Sequence, residues 1–165
     1  MSSDRHARWW RGERGEWYVI AQGLLFAVIA FAPRNLSDAP AWPEPLHTAA
    51  RVLGVALMLI GLPFALTGLR ALGPALTALP YPTDDGKLVR TGPYSVVRHP
   101  IYFGLIAGAT GWALYLNGTL TLLYAAALFA LFDLKSRREE RWLAEKYADY
   151  GEYCRHVKRL IPWIY

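Results

Sequence analysis

Two short segments of this chain carry residue types able to do chemistry. In the first, Arg98-His99-Pro100-Ile101-Tyr102, a proline suited to the first turn of a helix directly follows a histidine. His99 would then stand at the positive end of that helix, where amide N–H groups and the dipole favour a carboxylate or phosphate. In the second, Lys135, Arg137, Arg138, Glu139 and Glu140 crowd together. They combine cations able to orient an anion with paired carboxylates able to accept from hydroxyl or ammonium donors. Each segment also has a plainer reading, His99 as a structural cap and Glu139-Glu140 as a solvated, salt-bridged helix face. A single cysteine, Cys154, can form neither an internal disulfide nor a thiolate zinc site. Phosphate-loop, dinucleotide, zinc-protease and nucleophile-elbow motifs are absent from the sequence.

The elements that must position these segments are apolar and long. Of 165 residues, 54% are apolar and 14% aromatic, which excludes a disordered chain. Charges are missing from Trp17–Ala32, Val52–Leu69 and Ile101–Phe132, stretches of 16, 18 and 32 residues. A domain this small has little interior in which to bury them, so the composition points to an integral membrane protein. Trp17 onward reads as a retained span and not a cleaved leader, because no small-residue cleavage site follows it. Leu46–Leu72 exceeds the roughly 20 helical residues needed to cross a bilayer. The third block is too long for one span and breaks at Asn117-Gly118, a turn dipeptide, so it reads as a helical hairpin with arms Ile101–Leu116 and Thr119–Phe132.

Four crossings with the amino terminus inside put 16 of the 18 basic residues on one side, leaving Arg34 opposite and Arg51 near a helix end. This follows the positive-inside rule with both termini cytoplasmic. The net charge of +5 is then membrane-side bias and not a nucleic-acid footprint. Trp9, Trp10, Trp17, Tyr18, Trp42, Trp112 and Tyr115 fall near the expected interfaces. Gly54, Gly61 and Gly68, and separately Gly104, Gly108 and Gly111, each line one helical face and are expected to pack helices closely. Gly73–His99, rich in proline and glycine, is a long connection of the kind that carries function. Asp133–Tyr147 is expected to leave the membrane as a helix with Leu134, Trp142 and Leu143 on an apolar stripe.

Taken together, Gly92-x-Tyr94-x-x-x-Arg98-His99-Pro100-x-Tyr102, a charge-free hairpin, Glu139-Glu140-x-x-Leu143, spaced tyrosines and a closing Pro162 resemble the membrane methyltransferases of the isoprenylcysteine carboxyl methyltransferase family. The resemblance covers about Leu72 to Pro162. It implies an all-α membrane bundle of about four transmembrane helices, with a cytoplasmic cofactor-binding loop and a carboxyl-terminal helix, forming a single domain over residues 1–165. Within it, 17–72 would hold two spans and 73–165 the loop, hairpin and tail. It implies S-adenosylmethionine as cofactor, contacted by Lys87, Leu88, Val89, Tyr94, His99, Pro100, Tyr102 and Glu139. The family's substrate-anchoring arginine falls on Lys135 here, with Arg137 or Arg138 able to substitute, and one residue is missing between Tyr147 and Tyr150 relative to the family spacing. The implied acceptor is a lipophilic molecule or lipid reached from the membrane, of which an isoprenylcysteine carboxylate is one example. The Arg-His-Pro-x-Tyr segment and the tail also resemble the carboxyl-terminal part of NADPH-dependent sterol reductases, which typically carry Asn where this chain has Ile101. A non-enzymatic membrane scaffold is the third reading. It predicts neither cofactor affinity nor sensitivity at His99.

Overall fold

The structure is a computed structural model that describes residues 15–37, 41–73, 77, 79 and 88–165. The amino-terminal arginines, Trp9, Trp10, Lys87 and much of the Gly73–His99 connection therefore lie outside the described residues. Five α-helices account for most of what is described: α1 (Glu16–Phe31), α2 (Leu46–Leu72), α3 (Pro100–Tyr115), α4 (Thr119–Lys146) and α5 (Tyr150–His156), with a 3-10 turn at Gly92–Ser95. Among the described residues there is no strand, and one isolated parallel bridge joins Val97 to Lys158. By length and composition, α2 and α4 could each cross a membrane, and α1 is a shorter apolar helix.

Helix α2 lies antiparallel on α3 along the glycine faces. A Cβ added at Gly54 would stand 2.5 Å from the Gly111 carbonyl oxygen, and one at Gly104 would stand 2.5 Å from that of Gly61. At the far end Gly68 meets Pro100 and Ile101. With no side chains between them, the two backbones touch, which is how small residues bring apolar helices together. Gly108 is the exception, because a Cβ there meets nothing within 4 Å.

Helix α3 turns into α4 through Asn117, whose φ of 52° is in the left-handed region that asparagine tolerates better than most residues. The connection between α1 and α2 closes over this turn. Asn35 Oδ1 accepts from the Thr119 backbone N–H at 2.8 Å, the Leu120 N–H donates to the Arg34 carbonyl at 2.9 Å, and Trp42 Nε1 donates to Thr119 Oγ1 at 3.1 Å. Orphan donors at the start of α4 are thus satisfied from outside the helix.

Helix α4 runs unbroken through the change from apolar to charged sequence, so the second hairpin arm and the exit helix expected from the sequence are one element. No helix breaker stands at Phe132-Asp133, and the Asp133–Arg137 pair at 2.8 Å bridges one turn on the charged side. The expected stripe of Leu134, Trp142 and Leu143 does not form. Leu134 is exposed, Trp142 lies under Arg138, and Leu143 packs with Tyr150, Tyr153 and Val157.

Spatial order differs from chain order. α1 packs against α4, α4 against α3, and α3 against α2. Phe26, Leu25 and Ile29 of α1 close on a core of Ala109, Ala125, Leu128 and Phe132. After α5 the chain returns to the start of α3, where the Arg98 and His99 backbone N–H groups donate to the Lys158 and Arg159 carbonyls at 2.8 and 3.1 Å.

Candidate active site

His99 is the residue just before α3, and Pro100 is its first helical residue. The tail holds the backbone here, and Val97, Pro100 and Leu160 are fully buried around it. His99 itself is 7% exposed, and its ring is stacked on Tyr102 at 5.2 Å. Tyr102 in turn is stacked on Phe132 of α4 at 4.6 Å. Three parallel rings from two helices therefore form one wall.

Glu139 and Glu140 of α4 close the other side. The Tyr102 hydroxyl donates to Glu139 Oε2 at 2.9 Å, and His99 Nδ1 lies 3.8 Å from the same oxygen. The opposite ring nitrogen of His99 is 3.2 Å from Glu140 Oε1. Glu140 also accepts from Arg98 Nε at 2.7 Å and stands 3.3 Å from Arg159 Nε. The carboxylates thus divide the work, with Glu139 on the aromatic wall and Glu140 among guanidinium groups. Arg98 donates as well to the carbonyls of Cys154 and Val157, which fastens α5 to the same point.

Lys135, one turn before Glu139, is 2% exposed. Its Nζ lies 5.2 Å from the Tyr102 ring centre and donates to Gln22 Oε1 of α1 at 2.9 Å. Of the three basic residues picked from the sequence, Lys135 is the one brought into this group. Arg138 sits over the rings of Trp142 and Tyr18 at 4.9 and 5.9 Å. Arg137 is on the outer side of α4, donating to Asp133 and to the Tyr165 hydroxyl at 2.8 and 2.7 Å.

Tyr94 is buried beside α2, and its carbonyl accepts from the Tyr153 hydroxyl at 2.5 Å. Burial, reinforced by the charge on Glu139, holds the Tyr94 phenol above its usual pKa, so it remains a neutral donor. Leu88 packs on the Tyr150–Tyr153–Val157 cluster, and Val89 is half-buried next to it. That cluster includes Tyr147 and Leu143. Arg90 pairs with Asp149 across it.

Sequence reasoning missed Gln22, Arg159 and the structural weight of Arg98. Gln22 had a legible signal: with Tyr18 and Phe26 it forms a four-residue repeat, and those three residues face Lys135, Arg138 and Phe132. Arg159 had none, because its place is decided by the returning tail.

The pattern of the phospholipid methyltransferase family matches residues 49–150, more than half of the chain. The chain belongs to the phospholipid methyltransferase family. Among relatives of this family member, the protein-S-isoprenylcysteine O-methyltransferase of Saccharomyces cerevisiae is 40% identical over 83 residues, 49% of this chain and 35% of that protein. The cobalt-zinc-cadmium resistance protein CzcN of Cupriavidus metallidurans is 27% identical over 149 residues, 90% of this chain and 62% of that one. The delta(14)-sterol reductase TM7SF2 of Mus musculus is 35% identical over 89 residues, 51% of this chain and 21% of the reductase. The isoprenylcysteine methyltransferase resemblance read from the Gly92–Tyr102 and Glu139–Leu143 motifs is borne out. The phospholipid methyltransferase family member spans less than two thirds of the length of each of these three relatives.

Proposed function

We propose that this chain is a multi-pass membrane methyltransferase. In this reading it crosses the bilayer four times with both ends on the cytoplasmic side and transfers a methyl group from S-adenosylmethionine to a lipophilic acceptor. The observation that carries the reading is the meeting of Glu139 with Tyr102 and His99, which joins the two motif segments at one end of the hairpin.

The residues present fit the cofactor by the chemistry of their donors and acceptors. Glu139 would take a ribose hydroxyl or the ammonium group, and His99 with the α3 start would take the carboxylate. The ring of Tyr94 would face the sulfonium, as aromatic faces do for cations, while the ring of Tyr102 is stacked on His99 and Phe132. Leu88, Val89 and Pro100 offer apolar surface, and Lys87 joins the set on motif position alone. When bound, the cofactor supplies an electrophilic methyl group on a positively charged sulfur.

The protein's own part is alignment. Lys135 would orient an anionic acceptor oxygen, with Arg138 over the Tyr18 and Trp142 rings and Arg137 engaged with Asp133. A carboxylate acceptor arrives already ionised, so no general base is needed and positioning supplies most of the acceleration. The S-isoprenylcysteine in the yeast relative's name makes a prenylated cysteine carboxylate the first acceptor class to test.

Calorimetric titration of the full chain in lipid nanodiscs tests the reading. Saturable S-adenosylmethionine binding is expected, weakened about tenfold or more in Glu139→Gln and in His99→Ala, the loss of one charge-assisted contact each. NADPH titrated in parallel is expected not to bind. Absence of S-adenosylmethionine binding, or binding of NADPH in its place, overturns the reading and favours the reductase relationship.

A further inference from the structure

Residues 161–165 of the tail form a turn that carries backbone strain. The Ile161 carbonyl accepts from the Ile164 and Tyr165 N–H groups at 3.1 and 3.0 Å, which leaves Pro162 and Trp163 at the two corners. Proline suits the first corner of such a turn. Trp163 at the second has a φ of 61°, in the left-handed region that a bulky side chain rarely occupies and that glycine enters freely. Packing does not offset this strain, because Trp163 is 81% exposed and Ile164 beside it 75%.

Tyr165 fixes the level of this turn along α4. Its ring meets that of Phe129 at 6.4 Å between centres, and its hydroxyl donates to Asp133 Oδ1 at 2.9 Å while accepting from Arg137 Nη2 at 2.7 Å. Phe129 belongs to the charge-free run that closes at Phe132, and Asp133 is the first charge after it. Tyr165 therefore straddles the point where α4 changes from apolar to charged, the level at which a spanning helix passes from hydrocarbon to headgroups. Leu134, at the same level of α4, is exposed as well. Tryptophan is enriched at this depth because its ring is apolar while its N–H reaches a hydrogen-bond partner at the wet edge. A strained aromatic residue that packs on little of its own chain is accounted for by a contact outside the chain.

Resting on the reading of α2 and α4 as membrane spans, we propose that Trp163 and Ile164 are an interfacial anchor, seated in the headgroup and acyl boundary of the leaflet at the charged end of α4. The occupant of this surface is the bilayer itself. Just upstream the same tail carries the Lys158 and Arg159 carbonyls that receive the Arg98 and His99 N–H groups, so lipid contact steadies the segment supporting His99.

The experiment uses the full chain in phosphatidylcholine nanodiscs and two readouts. First, with Cys154→Ser as background, nitroxide labels are placed singly through Ile164→Cys, Leu62→Cys and Glu152→Cys, and collisions with oxygen and with a water-soluble nickel chelate are measured by electron paramagnetic resonance. Leu62, exposed in the middle of α2, reports lipid, and Glu152, exposed on α5, reports water. The oxygen-to-nickel ratio at 164 is expected to fall between these two, about threefold or more above the Glu152 value, as for a side chain in the interface. Adding Trp163→Gly to the Ile164→Cys protein is expected to relax the turn yet raise the water-exposed population at 164 about tenfold, since one large aromatic contact with lipid is lost. Second, with Trp163 left in place, the emission difference between the wild type and Trp163→Gly isolates its indole, which phosphatidylcholine brominated near the headgroup end of the chain is expected to quench by about half or more at interfacial depth.

A Glu152-like ratio at 164, an unchanged ratio there in Trp163→Gly, or a Trp163 emission that bromolipid leaves untouched overturns the proposal. Suppressed collision with both reagents at 164 overturns it in favour of a protein partner or a second copy of the chain. A water-like ratio at Leu62 as well strikes the membrane reading on which the proposal rests, and cofactor binding plays no part in any of these outcomes.

Discussion

Glu140 and Arg137 illustrate how differently two neighbouring charges on one helix contribute. Glu140 lies among His99, Arg98 and Arg159, and the Arg98 and Glu140 side chains are 8% and 14% exposed. Removing the carboxylate leaves the Arg98 guanidinium poorly solvated and without its counter-charge, while Arg159 keeps Asp133. Glu140→Ala is expected to lower stability by about 3–5 kcal/mol, as for other broken buried ion pairs. Denaturant unfolding in detergent, followed by circular dichroism, checks this. Arg137→Ala, at a solvent-facing pair with Asp133, is expected to leave the same unfolding curve unchanged. His99, Tyr102 and Glu139 were legible in the sequence because each belongs to a short motif with fixed spacing. Gln22 carried a weaker signal, its four-residue spacing from Tyr18 and Phe26, because a lone amide inside a charge-free block looks like a tolerated polar residue until its partner on α4 is known.

The helices repeat this division between local pattern and partner. Seven-residue glycine spacing in α2 marked a contact face correctly, and Gly104 and Gly111 supply the matching face on α3. Gly104→Val is expected to destabilise by about 1–3 kcal/mol or more, since its new atoms meet the Gly61 carbonyl and Ala65, backbone that cannot swing aside. Gly108→Ala, with open space at its Cβ, is expected to be neutral or to gain about 0.5–1 kcal/mol from helix propensity. Thermal unfolding of the two variants side by side reads both outcomes. Periodicity could not separate Gly108 from its neighbours, because four- and three-residue steps place all three glycines on one side while the partner helix covers only part of it. Nor could it show that α4 continues past Phe132: hydropathy changes there, but backbone hydrogen bonding does not.

Around the site as a unit, the carboxyl-terminal tail acts as a clasp. The Lys158 and Arg159 carbonyls receive the N–H groups of Arg98 and His99, while Arg159 and Tyr165 both donate to Asp133 at 3.1 and 2.9 Å. Deleting residues 158–165 is expected to abolish S-adenosylmethionine binding while helical circular dichroism persists, because the hairpin and glycine faces remain but His99 loses its backbone support. Retained binding after that deletion would show that the α3 start holds its shape unaided. Apolar runs, glycine periodicity, the Asn117-Gly118 turn and the two motifs are properties of neighbours along the chain. Their consequences, helices of given length and a histidine at a helix start, could be read residue by residue. Which helix lies beside which, that α1 packs on α4, and that Gln22 and Arg159 meet a site more than a hundred or some twenty residues away, depend on burial shared between distant segments. Such pairings are set by the shapes and charges of both faces at once, and only the folded chain brings both faces together.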